Sequence, residues 1–564
     1  MRWCSWVSGY FLALPGERVR ALALTVGPAL VMFLAATRGF GPGAPGAPQE
    51  FWSPYYWIHY QPDSKIITVN LIGHQQMVTR RSDVPAYALP HLLNRDAGRK
   101  PFGQVLIIGA GSGNDVSRAL EWGADRVYAV EIDPVIQRLG KRHHPDNPYD
   151  DSRVFVHLND GRNYLKTGNK QYDLIVYALV DSLVLHSSYS NIRLESYLFT
   201  RQAIEDVKKR LRPGGMFVMY NFFRQGWIVA RLQNTLDEVF GADNAVVLNL
   251  PGRDRLEPDD VLTGDFTVLM AGETSPMKEA FTRQPEYWLR GARPPDVTSA
   301  NGFENPDAAA SAYWRALPKA QQDERPWQQF KITTVSPGHE PKLLASDDWP
   351  FLYLRQPMVP SLSLRGAAIM GVLGLLLIAP LLPRGGAAGA PRLAQMFFLG
   401  AGFMLVETKA VVHMALLFGG TWIVNSIVIF AVLVMILAAN LFVLTFKPAN
   451  LWPYYAGLIL SLAISAMVPM DYFLGMDRTM RMAGSSLLAF VPILFAGVIF
   501  AVSFAKTEAP DLAFGANIAG AMFGGLAEYS SMLLGFQYLL FVAVVIYVLS
   551  TVGILARNPK ASNP

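Results

Sequence analysis

Three glycines at alternate positions, Gly109, Gly111 and Gly113, follow the short apolar run 105–108, and a second apolar run ends in the acid Glu131. Glycines let a backbone approach a ligand closely, a helix start presents free N–H groups, and an acid closing the next strand can bond both ribose hydroxyls. The chemistry on offer is nucleotide binding. Two more acids follow in similar places: Asp160 in Asn159-Asp160-Gly161, and Asp181 just beyond the apolar run 172–177. By itself the glycine spacing fits an ordinary strand-to-helix turn equally well, so the surrounding elements have to decide.

Those elements alternate. A strand over 105–108 leads through the glycines into a helical segment and a strand ending at Glu131, and a short strand over 153–156 precedes Asp160. Another strand over 172–177 runs into 178–182, followed by a helix over 200–211, the turn Arg212-Pro213-Gly214-Gly215 and a strand over 216–220. Strands alternating with helices predict a parallel sheet that binds ligands at the carboxyl ends of its strands, where Glu131, Asp160 and Asp181 fall.

The stretches GAGSGND (109–115), VEID (130–133), NDGRNYL (159–165), YDLIVYALVDS (172–182) and ESYLFTRQAIEDVKKRLRPGG (195–215) together resemble the spermidine synthase (polyamine aminopropyltransferase) family. The likeness covers roughly residues 50–245. It implies a Rossmann-like α/β nucleoside-binding fold shared with S-adenosylmethionine methyltransferases. It also implies decarboxylated S-adenosylmethionine or S-adenosylmethionine as co-substrate, a small-molecule amine as acceptor, and no metal. Gly109, Gly111, Gly113, Glu131, Asp160 and Gly161 then hold the nucleoside, with Asp160-Gly161 at the adenine.

The family also carries an acid in the glycine turn and a pair of acids three apart after the fourth strand. This chain has Ser112 and Ala178 at two of those positions and keeps Asp181. Asp181 is therefore the candidate base, and with Tyr87 a candidate amine-binding residue. Tyr87 is followed by Ala88 and Leu89, a departure from the family's Tyr-His-Glu. His186, Glu195 and Tyr220 are candidate helpers, each also readable as a loop or packing residue.

Composition sets the wider frame. At 564 residues, 51% hydrophobic and 16% charged, with a mean hydropathy of +0.22, the chain exceeds one domain and is too apolar for an ordinary soluble enzyme. A net charge of +5 without a basic run calls for no nucleic-acid partner. The single cysteine, Cys4, excludes an internal disulfide and a cysteine-cluster metal site.

In chain order, Arg2, Arg18 and Arg20 precede an apolar run over 21–37. It reads as an anchor in preference to a signal-peptide core, because Pro and Gly follow it where a small-residue cleavage site would stand. The expected division is an N-terminal anchor (1–38), a Gly/Pro linker (39–50), an N-terminal β region (51–100), the Rossmann-like domain (101–250), an appended polar region and junction (251–364) and a helical membrane domain (365–558). The β region carries the aromatics Trp52, Tyr55, Tyr56 and Trp57 and the alternating stretch 65–73, and resembles the family's N-terminal hairpin region. At the junction, Asp347 and Asp348 beside Trp349 either reach a cationic amine or mark the start of a helix with interfacial aromatics, the reading preferred here.

Beyond residue 365, seven apolar runs, near 366–383, 394–418, 422–446, 453–473, 485–505, 512–534 and 537–556, each approach or exceed the length that crosses a bilayer of about 30 Å. Glu407, Lys409 and His413 interrupt the second run and form a candidate intramembrane polar site, with Asn425, Asn440, Asn517 and Glu528 as candidate partners. A polar clamp that merely fixes helix packing is the competing reading. The glycines of 514–525 suit a close helix crossing. The expected location is the cell (inner) membrane, multi-pass, with the lipid bilayer as partner; homo-oligomerisation is left open. The side of the nucleoside domain is open as well, because the loop charges and the cytoplasmic supply of the co-substrate point opposite ways.

The functional expectation is a membrane-bound aminopropyltransferase-like transferase. Two alternatives stand beside it: an S-adenosylmethionine-dependent methyltransferase, and a catalytically inactive nucleoside-sensing domain on a transporter-like bundle.

Overall fold

The computed structural model describes residues 48–80, 85–180, 194–250, 253–262, 265–283, 287–289, 328–337, 343–378, 390–468, 472–473 and 476–555. The N-terminal anchor, most of the linker, Asp181 and His186 lie outside the described residues, and of Glu195 only the backbone is described. Two units divide the chain: residues up to 51 with 57–76, and residues 52–56 with 77–564.

The first unit is a four-stranded sheet in the order β1 (Gln49–Trp52), β2 (Trp57–Gln61), β3 (Ile66–Val69), β4 (Ile72–Gln76). The alternation over 65–73 is broken by a two-residue turn at Asn70 and Leu71, both at positive φ (50° and 68°), and reverses into a hairpin. The β region also ends earlier than expected. Residues 85–96, placed with it from the sequence, form a helix, α1 (Pro85–Asp96), in the second unit.

The sheet of the second unit has nine strands in the order β13-β14-β10-β12-β9-β8-β5-β6-β7. Its parallel half is β5 (Gln104–Ile108), β6 (Arg126–Glu131), β7 (Val154–Leu158), β8 (Tyr172–Ala178) and β9 (Leu211–Asn221). Helices α2 (Asn114–Glu121), α3 (Pro134–His143), α4 (Gly161–Thr167) and α5 (Arg201–Arg210) connect those strands, and α6 (Gly226–Phe240) follows. The strand order reverses at β5, which opens a crevice at its carboxyl end between β6 and β8. Buried apolar side chains cover both faces of the sheet, as a parallel sheet requires.

The α/β domain does not stop at residue 250. The apolar run Phe266–Gly272 is strand β12, antiparallel to both β9 and β10 (Ala245–Leu250). Strands β13 (Tyr287–Leu289) and β14 (Gln328–Ile332) extend the same sheet, and a short ladder joins β11 (Arg255–Leu256) to β15 (Thr334–Val335). Part of the expected appended region therefore belongs to the sheet, drawn in by residues such as Val268 and Leu269, both fully buried. Helix α7 (Ser275–Arg283) follows β12.

Among the described residues, seven longer helices succeed one another after residue 360: α8 (Ser361–Ile378), α9 (Ala390–Phe418), α10 (Trp422–Phe446), α11 (Trp452–Met467), α12 (Arg478–Ala505), α13 (Pro510–Ala527) and α14 (Gln537–Leu549). Among the described residues, four helical spans are long and apolar enough to cross a bilayer: Ala390–Phe418, Val424–Phe446, Thr479–Ala505 and Gln537–Leu555. Helix α9 crosses α13 closely on glycine. A Cβ on Gly520 would stand 1.7 Å from the Phe397 carbonyl oxygen, and one on Gly524 would stand 2.4 Å from that of Ala401.

The bundle and the α/β domain share the second unit, and several side chains pin the strap 343–355 between them. Arg162, buried in α4, bonds Asp206 and, at 3.1 Å, Asp347, whose other carboxylate oxygen accepts from Thr200 at 2.6 Å. Asp348 accepts the Gln537 N–H at 2.6 Å, at the first turn of α14, and the Trp349 indole donates to the Met532 carbonyl at 2.8 Å. The buried Arg231 guanidinium gathers the carbonyls of Leu352, Leu354 and Arg355 at 2.7 to 2.8 Å. Asp347 and Asp348 thus fasten the two parts together, and the first bundle helix begins only at Ser361.

Candidate functional site

The glycine turn is shaped by its neighbours. Gly109, Gly111 and Gly113 all have positive φ (76°, 54° and 106°), a conformation that favours glycine. A Cβ on Gly113 would come within 2.8 Å of Pro148, so this position has no room for a side chain. Glu131, at the end of β6, accepts the Gly111 N–H at 2.7 Å and the Asp133 N–H at 2.8 Å. The Tyr149 hydroxyl donates to the Gly111 carbonyl at 2.7 Å. Burial pushes the Glu131 carboxyl up to about 7, against the backbone N–H groups that favour its charged form.

Asp160 ends the loop after β7 and caps α4, accepting the Asn163 N–H at 2.7 Å. Burial raises its carboxyl above the usual range, opposed by the backbone N–H groups of Asn163 and Gly420. Gly161 has a packing reason, since a Cβ there would stand 2.3 Å from the Ile108 side chain at the end of β5. Asp133 caps α3 through the Val135 and Ile136 N–H groups at 2.7 and 3.1 Å and also accepts from the Ser53 hydroxyl.

Glu131 and Asp160 stand at neighbouring strand ends, with the Asn159 N–H bonded to the Glu131 carbonyl at 3.1 Å, and Tyr55 lies within the field of both acids. Its hydroxyl feels the charges of Asp133, Asp160 and Glu131 and meets the backbone of Trp422 at the first turn of α10. Burial and those three carboxylates hold the phenol above its ordinary value. The aromatic cluster around Trp52 thus contributes Tyr55 directly to the crevice, which its sequence position alone did not establish.

A second polar group lies under the glycine turn. Asp115, in the first turn of α2, is buried and accepts a hydrogen bond from the Tyr220 hydroxyl. The Asn114 amide donates to the Tyr87 hydroxyl at 3.2 Å, and its oxygen accepts the Val78 N–H and meets the His144 ring, both at 3.1 Å. Burial pushes Asp115 up to about 7. Tyr220 pairs in register with Ala178 on the neighbouring strand, and both side chains join the core that α2 covers. Tyr220 thus links Asp115 to the strand pair that carries Ala178. The sequence reading looked for an acid at Ser112 and missed the one three residues on; its signal was an acid opening the helix behind the glycines.

Glu407, Lys409 and His413 lie on α9. Among the described residues no hydrogen bond or ion pair joins the three, and the expected partners are engaged elsewhere or open. Glu528 accepts from Thr408 at 3.3 Å, Asn517 donates to the Met396 carbonyl at 3.0 Å, Asn440 bonds its own helix, and the Asn425 side-chain oxygen is buried without a partner. Lys409 is buried, with the charge of Asp348 acting on it. Among the described residues no group of three or more His, Cys, Asp and Glu could hold a metal ion.

Comparison with known proteins follows the same lines. Residues 97–251 match the family described as spermine/spermidine synthase domain. The polyamine aminopropyltransferase of Thermoplasma volcanium is 27% identical over 143 residues, 25% of this chain and 49% of that protein. That of Korarchaeum cryptofilum is 30% identical over 122 residues, 21% of this chain and 35% of that protein. The chain spans about half, or less, of the length of these relatives. Spermidine synthase from Thermotoga maritima aligns with 50% of this chain and 85% of its own at 16% identity, with a TM-score of 0.31.

Proposed function

We propose that the spermidine synthase-like domain of this chain binds an adenosyl nucleoside of the S-adenosylmethionine type and transfers an alkyl group from it to an amine, on a bundle that sits in the membrane. The observation that supports the reading is the placement of Glu131 at the end of β6 and of Asp160 after the neighbouring β7, beside the strand-order reversal, with the Asn159 N–H bonded to the Glu131 carbonyl at 3.1 Å. Those acids offer acceptors to ribose hydroxyls and to a base amino group, and the glycine turn allows a close approach of backbone to ligand.

Transfer needs an uncharged amine placed against the carbon beside a sulfonium sulfur. As the new C–N bond forms, the C–S bond breaks and its electron pair stays on sulfur as a neutral thioether, while the nitrogen loses a proton to a base. Asp115 is the proposed acceptor of that proton, with Tyr220 orienting it, and Asp181 is the second proposed acid. A carboxyl raised to about 7 suits such a role near neutral pH.

Supplying the protein with decarboxylated S-adenosylmethionine labelled in its aminopropyl group, and with a diamine, tests the reading. Labelled polyamine is expected, together with the thioether nucleoside. Methyl transfer from S-adenosylmethionine in its place would select the methyltransferase alternative, and binding without any turnover would select the sensing one.

A further inference from the structure

We infer that the turn joining α9 to α10, at Gly419, Gly420 and Thr421, forms the outer wall of the nucleoside site and moves when the site fills. This rests on the nucleoside reading above. The backbone lies directly on the acid: Gly419 has φ +94°, and a Cβ there would stand 3.0 Å from the Asp160 Cβ and 3.2 Å from that of Asn163. The Asn163 amide donates to the Leu417 carbonyl at 3.1 Å and ties the last turn of α9 to the first turn of α4. The Gly420 N–H faces the Asp160 carboxylate, and the Trp422 backbone meets Tyr55 within the field of Glu131 and Asp160.

The consequence is a carboxylate common to the site and the turn. One oxygen of Asp160 serves the Asn163 N–H. A carboxylate accepts more donors than this one, so a base amino group that bonds it re-aims the carboxylate without exhausting it. Because the Gly419 backbone lies against the Asp160 side chain, that re-aiming shifts the turn, with the start of α10 behind it. The bundle is then informed of occupancy through the Gly419–Gly420 backbone and the Asn163 bond to the Leu417 carbonyl.

A single-cysteine reporter tests this on the full chain in phospholipid nanodiscs. Cys4→Ser with Thr421→Cys carries an environment-sensitive fluorophore on the turn; the Thr421 side chain makes no capping hydrogen bond, so its replacement is mild. Cys4→Ser with Thr445→Cys, labelled alike, reports from the other end of α10. Both are titrated with S-adenosylmethionine and its decarboxylated form, beside calorimetry on the wild type. The expected result is an emission change at position 421, absent at 445, that saturates at the calorimetric midpoint. Loss of binding confined to the protein labelled at 421 supports the same wall, because a bulky group there occludes the site. Normal binding with no change at 421, or an equal change at both positions, overturns the inference and leaves the nucleoside reading standing. No binding of either compound to the wild type overturns both.

Discussion

The Tyr220 hydroxyl donates to the Asp115 carboxylate across 105 residues of sequence, and joins the end of β9 to the helix that starts behind the glycine turn. The pair is buried, so its protonation is linked to both stability and activity, with opposite signs. Asp115 is raised from 3.8 to about 7, so the native state binds more protons than the unfolded chain between about pH 4 and 7. Stability therefore falls as pH rises through that window, by on the order of 2 to 4 kcal/mol. Glu131, raised from 4.5 to about 7, contributes in the same direction. Thermal melting between pH 5 and 8 should show the decline, and Asp115→Asn should make it shallower. The transfer rate should instead climb through about pH 7, as the ionised acid becomes available. A rate independent of pH over this range would remove Asp115 from proton transfer.

Arg162, on α4, anchors the strap and is held by Asp206 and Asp347. Asp347→Ala leaves a buried guanidinium with one of its two acids gone and should cost about 3 kcal/mol. Replacing Arg162 by Met should cost less than the sum of the two acid deletions, because it leaves no buried cation. A double-mutant cycle read by unfolding checks this, and additive effects would show that the three residues do not act as a unit.

The α9–α13 crossing depends on the absence of a side chain at position 520. Gly520→Ala drives a methyl into the Phe397 carbonyl and should force the helices apart at a cost of about 1 to 3 kcal/mol. Gly525→Ala, on the same helix with nothing near its Cβ, should be neutral or slightly stabilising through helix propensity. Melting of both variants in one detergent gives the comparison, and equal losses would argue against the close crossing.

Much of this architecture could be read from the sequence because it is written in local pattern. The run from Val105 to Glu131 combines apolar strands with glycines that take positive φ in the turn, and the seven apolar stretches beyond residue 365 lie on α8 to α14, of which four hold spans long enough to cross a bilayer among the described residues. What stayed hidden depends on distant partners. The strand Phe266–Gly272 sits in a polar, Pro-rich neighbourhood, and its place in the sheet is decided by β9 and β10. Nothing local to Asp347 announces Arg162, 185 residues earlier. Asp115 stands one helical turn beyond Ser112, where the family's acid would be, and only its bond to the distant Tyr220 marks it. Tyr55 and the Gly419–Gly420 turn belong to the crevice only through tertiary contact.

Glu131 bonds two backbone N–H groups of the chain itself as well as facing the crevice. Its removal should therefore loosen the glycine turn and the nucleoside together. Glu131→Gln keeps the shape, and one acceptor oxygen, and should retain more affinity than Glu131→Ala. Equal losses would place the role in charge and not in hydrogen bonding.

The central claim is that acids from neighbouring strand ends hold one adenosyl group. Calorimetric titration of the full chain with decarboxylated S-adenosylmethionine, repeated on Glu131→Ala and Asp160→Ala, addresses it most directly. The account predicts saturable one-site binding to the wild type and an affinity at least tenfold weaker, about 1.4 kcal/mol, in each folded variant. Binding to the wild type that both substitutions leave unchanged would contradict it.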